Sequence, residues 1–474
     1  MDIKFKRLTK KDVMALRPYF EGCFFNLSDN SCAFKFMWQE YYVIDFAVVE
    51  DCVVFREKYK GNTYFHYPLA IGGDEEKESR ALDAVERYAI ENDVKMNFTC
   101  VPKERIPLMI DRYGLGVRVV NKRKWKDYLY SADDFKTFPG KKYAGQRNHV
   151  NKFNKLYPDA IFKRLSQSDE HLICEFLKVY EKRQLSKGSV MATEEMEGVY
   201  VLLPHLADLN QLVGGLFVQG EMVGLAIGEK CGEQIIVHVE KALTEYEGAY
   251  PALAQKFAQE FATEDVKYLN REDDAGDGGL RKSKLQYKPI RLVDKYDLFP
   301  ERIIDGVAHL PKINTERLEI KEITDEYSRA FYRLEIDKHR NEWWGYRWWE
   351  HVDGEPSPEY FMQAIRSDFE EKWEMPLGVF FNGTLIGEVV LHAFGYKNDC
   401  EVGVRLLEEY QGNGFATEAV QGAIKYALFK LNADVVHAKC FKQNERSKKM
   451  LLSAGMVADG QDDTYFYFKK TASN

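Results

Sequence analysis

Between residues 415 and 431, Ala416, Val420, Ala423, Ile424, Ala427, Leu428 and Leu431 recur at the spacing of one helix face. Strand-like runs flank this helix: CEVGVRLL (400–407) precedes it across the turn EEYQGNG, and ADVVHAKCF (433–441) follows. Upstream, a strand near 317–322 and helical stretches around 324–339 and 357–372 lead into LGVFFNGTLIGEVVLHAF. That segment is two apolar runs joined by Asn382-Gly383, a pair suited to a two-residue hairpin. NERSKKMLLSAGM predicts a short helix with Asn444 as N-cap, and TYFYFKK a closing strand.

The first 300 residues carry the same mixture. IIVHVEKALTEYEGAYPALAQKFA (235–258) reads as strand, turn with Gly248, then helix. VKYLNREDDAGDGGLRKSKLQYKPIRLV (266–293) reads as strand, acidic glycine-rich loop, basic cluster and strand. One joint falls at DLFPERIIDGVAHLPKIN (297–314), where prolines interrupt a stretch of little periodicity, and a second lies near 131–158. The expected division is therefore 1–130, 131–297, a linker at 298–311, and 312–474. Each unit is α/β, with helices flanking a mixed sheet.

A chain of 474 residues exceeds one hydrophobic core, in keeping with several units. With 45% hydrophobic and 30% charged residues it is of globular composition. The net charge of -8 confines any nucleic-acid surface to a local patch. Eight scattered cysteines without a C-x-x-C pair suit reduced thiols and predict no metal site. The polar amino terminus and the lack of a long apolar run predict a cytoplasmic chain without a membrane span.

The chemistry concentrates at the turn before the 415–431 helix. Gly412 and Gly414 leave backbone N–H groups uncovered at the positive end of a helix dipole, where a pyrophosphate fits; a plain turn is the simpler alternative. Gln411-Gly412-Asn413-Gly414-Phe415-Ala416 resembles the Q/R-x-x-G-x-G/A signature of the GNAT acetyltransferase superfamily. NERSKKMLLSAGM resembles the later motif of that superfamily, in which the Asn and Ser (here Asn444 and Ser447) contact the coenzyme A arm. The resemblance spans 315–470 and implies an acetyl-CoA-dependent N-acetyltransferase. It places Glu401 as the general base that must deprotonate an amine of pKa ~10, the alternative being an exposed edge-strand charge. It also places the amides around Leu406 and Leu407 against the thioester oxygen. Leu451 stands where many relatives carry a tyrosine that protonates the leaving thiolate. By the same resemblance, NEWWGYRWW (341–349) falls in the segment that usually roofs the acceptor site. Trp343, Trp344 and Tyr346 could hold a cationic amine by cation–π attraction or pack a helix onto the sheet.

In the front half, H-V-E-K-A, then G-A-Y, then N-R-E-D-D-x-G-x-x-G-L-R-x-x-K-x-x-Y-x-P resemble the carboxy-terminal domain of phosphatidylglycerol lysyltransferases over about residues 10–295. That resemblance implies two GNAT-like lobes, hence tandem GNAT-like acyltransferase folds with three lobes in the whole chain. It implies an acyl site lined by His238, Glu240 and Lys241. Arg281, Lys284, Tyr287 and Lys288 would hold a tRNA end or a phosphate, or simply balance the acidic loop. The acid-free stretch 135–158, with Lys136, Lys141, Lys142, Arg147, Lys152 and Lys155, could meet nucleic-acid phosphates or form a solvated face. Three functions follow: an N-acetyltransferase for a small-molecule, polyamine, amino-acid or peptide amine; a bifunctional enzyme that also uses charged tRNA; or an acetyltransferase whose front half is a non-catalytic binding or dimerisation module.

Overall fold

The computed structural model describes residues 3–92, 94–114, 117–185, 192–345, 348–350, 352 and 354–472. The chain divides into two compact units, Met1–Leu108 with Arg118–Phe299, and Met109–Val117 with Pro300–Asn474.

Unit 1 holds two mixed sheets. The first runs in the order Lys6–Arg7, Asp45–Val49, Cys52–Tyr59, Asn62–His66, Phe98–Pro102, Lys295–Phe299 and Arg118–Val120. The second runs Arg291–Val293, Asp127–Ser131, Tyr268–Asn270, Gln234–Ala242, Glu221–Cys231, Leu212–Val218 and Ile161–Leu165. The chain thus enters the second sheet at 127 and returns to the first at 295, so both expected joints fall inside or beside strands. One core joins the sheets: Val53 and Phe55 from the first share it with Leu225, Ile227 and Val239 from the second. The crossover from Gln234–Ala242 to its parallel neighbour Tyr268–Asn270 is the helix Ala249–Phe261, as parallel strands require. Gly248 caps that helix at φ +85°, and a Cβ there would stand 2.3 Å from the His149 carbonyl oxygen.

In unit 2 we number the elements used below. The sheet consists of β1 (Ile313–Asn314), β2 (Leu318–Lys321), β3 (Met375–Phe381), β4 (Thr384–His392), β5 (Asp399–Leu406), β6 (Val435–Phe441), β7 (Val457–Gln461) and β8 (Tyr465–Thr471), in the order β1-β2-β3-β4-β5-β6-β8-β7. Only the β5–β6 pair is parallel among these. Asn382 and Gly383, at φ 48° and 79°, turn β3 into β4 as the sequence predicts. The expected 324–339 helix is instead two, α1 (Ser328–Glu335) and α2 (Lys338–Trp344), because Asp337 caps the second through the Arg340 amide. α3 (Pro358–Glu370) follows, then α4 (Phe415–Phe429) and α5 (Glu445–Ser453). α4 lays Ala419, Val420, Ala423, Ile424 and Ala427 onto Val389, Leu391, Val402 and Leu406, and its small residues let the axis come close to the sheet. α1 and α3 join Phe380 and Leu385 in a second cluster.

The αL strain and the backbone clash at Gly248 can be separated by mutation. Gly248→Ala should cost about 2–3 kcal/mol, whereas Gly61→Ala, also at positive φ but with open space around it, should cost only about 1 kcal/mol. Denaturant midpoints of the two variants test this; equal losses would mean that the His149 carbonyl simply moves aside.

Candidate active site

β5 and β6 pair at Asp399↔Val435, Cys400↔Val436 and Glu401↔His437, and then part. β5 meanwhile stays bonded to β4 as far as Gly387↔Leu406. Its other edge is therefore bare of sheet partners from 402 to 406. The Leu407 amide donates to the Ile386 carbonyl at 2.8 Å, so by antiparallel alternation the Leu406 amide faces the opening. This corrects the expectation for Leu407, whose N–H is occupied by the sheet.

The turn after β5 is braced from within. Gln411 Nε2 donates to the Leu406 carbonyl (3.3 Å), and Asn413 Nδ2 donates to the carbonyls of Gln411 (3.2 Å) and Tyr410 (3.4 Å). These two side chains shape the turn, while Gly412 and Gly414 supply its left-handed backbone at φ 80° and 79°. A Cβ at Gly412 would meet nothing within 4 Å, and at Gly414 only the Arg317 guanidinium at 3.4 Å. The first amides of α4, at Phe415 and Ala416, thus lie behind an open approach. Phe415 is buried against Phe381, with ring centroids 4.7 Å apart. Arg317, for which no sequence motif gives notice, lies 4.6 Å over the Phe415 ring. It donates to Glu418 Oε2 (2.7 Å) and the Asn413 carbonyl (3.0 Å), placing a cation beside the turn. Asn444 caps α5 by accepting from the Ser447 amide at 3.0 Å. Leu451 is buried in the core of the unit.

The sheet face opposite α4 carries the titratable groups. Paired residues share a face, so His392, Glu401 and His437 stand in one row, and Glu388 with Arg405 in another. Glu401 lies 3.3 Å from Lys439 Nζ and 3.7 Å from His392 Nε2. Burial pushes the His392 imidazole below its ordinary value; Glu401 opposes that shift and Lys439 adds to it. Between the rows is Gly403, where a Cβ would come within 2.9 Å of the Trp344 ring. Trp344 therefore covers the bare edge of β5, with the Arg405 guanidinium 4.7 Å from its ring. Trp343 is 42% exposed and meets Phe441 edge-on, and Tyr346 lies outside the described residues. Arg405 is buried, donating to Glu388 Oε2 (2.9 and 2.7 Å), to Asn341 Oδ1 (2.7 Å) and to Glu335. Burial raises Glu388 to about 7 against the pull of Arg405. Burial, with repulsion from Glu388 and Asp368, raises Glu374 to about 8.

Unit 1 repeats the strand frame with its opening latched. Gln234–Ala242 pairs with Tyr268–Asn270 only at Gln234↔Tyr268, Ile235↔Leu269 and Ile236↔Asn270 before the two part. Across the gap, His238 Nδ1 meets Glu272 Oε1 at 2.8 Å, and Arg271 donates to Glu240 Oε1 at 2.6 Å. Burial opposes charge on His238, but Glu229 and Glu272 overcome it and hold the imidazole up at about 9. Lys241 bonds Glu195 at 2.7 Å, outside this gap. Arg281 makes a two-pronged bond to Asp274 (2.9 and 2.8 Å), and Lys284 donates to the carbonyls of Arg271 (2.6 Å), Glu272 (3.3 Å) and Asp273. Tyr287 is buried and stacks on Phe135. Of that group, Arg281 and Lys288 line an open groove of about 410 Å³ with Gly278, Lys282, Leu285 and Gln286. In the acid-free stretch, Lys142 pairs with Asp134 (2.9 Å), Lys152 with Glu247 (2.6 Å), and Arg147 donates to the carbonyls of Phe138 and Gly140. Among the described residues no group of His, Cys, Asp and Glu could hold a metal ion, and no helix is long and apolar enough to cross a membrane.

A mixed sheet that opens beside a glycine-capped helix is the frame of a GNAT-like domain, and the model of the GNAT acetyltransferase domain matches residues 317–457, which supports acyl transfer. The model described as phosphatidylglycerol lysyltransferase, C-terminal, matches residues 25–299, more than half of the chain, and the chain belongs to that family. A conserved protein of unknown function from Bacteroides thetaiotaomicron VPI-5482 is 26% identical with a TM-score of 0.59, over 63% of this chain and 99% of its own. Two uncharacterized N-acetyltransferases of Bacillus subtilis (strain 168) match as well. YoaA is 27% identical over 33% of this chain and 89% of its own length, and YnaD is 27% identical over 33% and 86%.

The carboxyl of Glu374 makes stability depend on pH. Between its ordinary value of 4.5 and about 8 the folded chain keeps a proton that the unfolded chain releases, so stability falls as pH rises through this window and then levels off. Glu374→Gln removes the penalty. Its Tm should match wild type at pH 4 and exceed it by on the order of 10 °C at pH 8. A wild-type Tm at pH 8 would return Glu374 to the ordinary range.

Proposed function

We propose that unit 2 is an acetyl-CoA-dependent N-acetyltransferase acting on an amine of a small molecule, polyamine, amino acid or peptide. The observation that carries this reading is the parting of β5 from β6 after Glu401, with the Gly412–Gly414 turn and the uncovered start of α4 at the far end of the freed edge. The residues present fit the coenzyme. Gly412 leaves empty space where any side chain would intrude, the first amides of α4 at Phe415 and Ala416 lack partners within the helix, and the Arg317–Glu418 pair stands beside them. When bound, acetyl-CoA would supply the activated acetyl group. The chain's own tasks are to hold the diphosphate at the turn, to lay the arm along β5 with the Leu406 amide toward the carbonyl oxygen, and to roof the acceptor with Trp344. It must also take a proton from the amine at the row formed by His392 and Glu401, because an alkylammonium of pKa ~10 cannot attack.

For unit 1 we favour a non-catalytic module over tRNA-dependent transfer. Its opening is crossed by the His238–Glu272 and Arg271–Glu240 pairs, and Arg281, Lys284, Lys142, Arg147 and Lys152 are engaged within the unit. Few cations remain to release counterions from a phosphate backbone.

Two measurements test these readings. Gly414→Asp would direct a carboxylate at the phosphates, so calorimetry should show acetyl-CoA binding lost; unchanged affinity would remove the turn from the site. For unit 1, an anisotropy titration of the full chain with charged tRNA at low salt should show no saturable binding at micromolar protein. Tight binding that weakens steeply with salt would restore the bifunctional reading.

A further inference from the structure

Glu401 is the group that sequence reasoning selects as base, but it is not the only candidate in its row. Its carboxylate already faces Lys439 at 3.3 Å. His392 ends β4 directly opposite Glu401, so both side chains leave the sheet on the acceptor face. Its Nε2 lies 3.7 Å from Glu401 Oε1 and 3.8 Å from the place of a Gly403 Cβ, beside the surface that Trp344 covers. The ring is 31% exposed, so it is reachable, and Glu401 at 18% lies deeper. Gly403 is the first glycine past the parting of β5 and β6, and the Trp344 ring takes the space its side chain would fill, which brings the ring up beside the imidazole.

On these grounds, and resting on the N-acetyltransferase reading above, we propose that His392 is the catalytic proton acceptor of unit 2 and that Glu401 is a positioning residue acting through it. The charged groups facing the imidazole are Glu401 from β5 and Lys439 from β6. Glu374 is the next residue out from the Met375↔Leu391 pair and so stands across from His392 at the start of β3. The group that α2 places over Gly403, Trp344, is uncharged. Burial keeps His392 neutral at physiological pH, the form that accepts a proton, and the Glu401 carboxylate stabilises the imidazolium that results. The proton balance closes. The substrate ammonium loses one proton to His392, and its nitrogen lone pair then forms the C–N bond to the acetyl carbon as the C–S bond breaks. The remaining excess proton on nitrogen goes to the departing sulfur, and the His392 proton returns to solvent.

Two readouts test this on the full chain. The first is an NMR titration of the histidine rings without coenzyme, with the His392 signal assigned by its absence in His392→Gln. We expect it to titrate below ~6.5, to move lower in Glu401→Gln, which removes the anion, and to move higher in Lys439→Met, which removes the cation. The second is acetyl transfer to an amine panel from pH 6 to 9. His392→Gln should lower kcat/KM by about 10²–10⁴-fold at pH 7 with acetyl-CoA affinity unchanged by calorimetry. Glu401→Gln should keep activity within about tenfold of wild type and shift the acid limb to lower pH. The inference is overturned if Glu401→Gln shows the large loss while His392→Gln stays near wild type, or if the His392 titration ignores Glu401→Gln. The failure of the function reading looks different: wild type would neither bind acetyl-CoA nor acetylate any amine, and the inference would fall with it.

Discussion

A buried guanidinium governs the face of the unit 2 sheet that lies opposite α4. Arg405 rises from β5 and gathers Glu388 of β4, Glu335 of α1 and Asn341 of α2, while lying against the Trp344 ring. A charge so enclosed is tolerable only with its partners in place, and removing one partner of such a pair typically costs about 3–5 kcal/mol. Two helices are therefore tied to the strand whose other edge must stay bare. That tie holds Trp344 over Gly403, while Trp343 beside it packs edge-on against Phe441. The same enclosure explains why Glu388 and Glu374 hold protons far above the usual carboxylate range: more acid than base is folded into one place.

Local signals in the sequence read the frame well. The Asn382-Gly383 hairpin, the long α4 stripe, the Asn444 cap and the α/β character of three sheets all rest on short-range pattern, and periodicity reports such features directly. Register between distant strands is another matter. His392 and Glu401 face each other because β4 and β5 align through a loop whose length does not fix pairing, so no spacing rule could place that histidine opposite the expected base. Arg317 was equally silent, because it approaches the turn from about a hundred residues away in sequence. The α1–α2 break was legible in principle, since Asp337 is a good N-cap inside an apparently continuous helix.

The front half shows the converse difficulty. Residues with reactive side chains stood out there, but composition cannot tell a waiting group from an occupied one. Arg281 holds Asp274 and Lys284 fills a ring of carbonyls, roles that a basic cluster in a sequence does not reveal. The returning strand Lys295–Phe299 was hidden for a related reason: its partners lie almost 200 residues earlier, and a joint that contains prolines masks a strand that runs into it.

Gly248 and Gly414 occupy equivalent corners of two like frames, each a left-handed residue between a parting strand and its crossover helix. At Gly414 a side chain would meet only the Arg317 guanidinium, and at Gly248 it would meet the His149 backbone. In both units the helix and sheet are held by their apolar faces, so the state of the corner adds little to the stability of the frame. A side chain at Gly248 must displace backbone, whereas one at Gly414 need displace only the flexible end of Arg317, so two like corners differ in what they can admit.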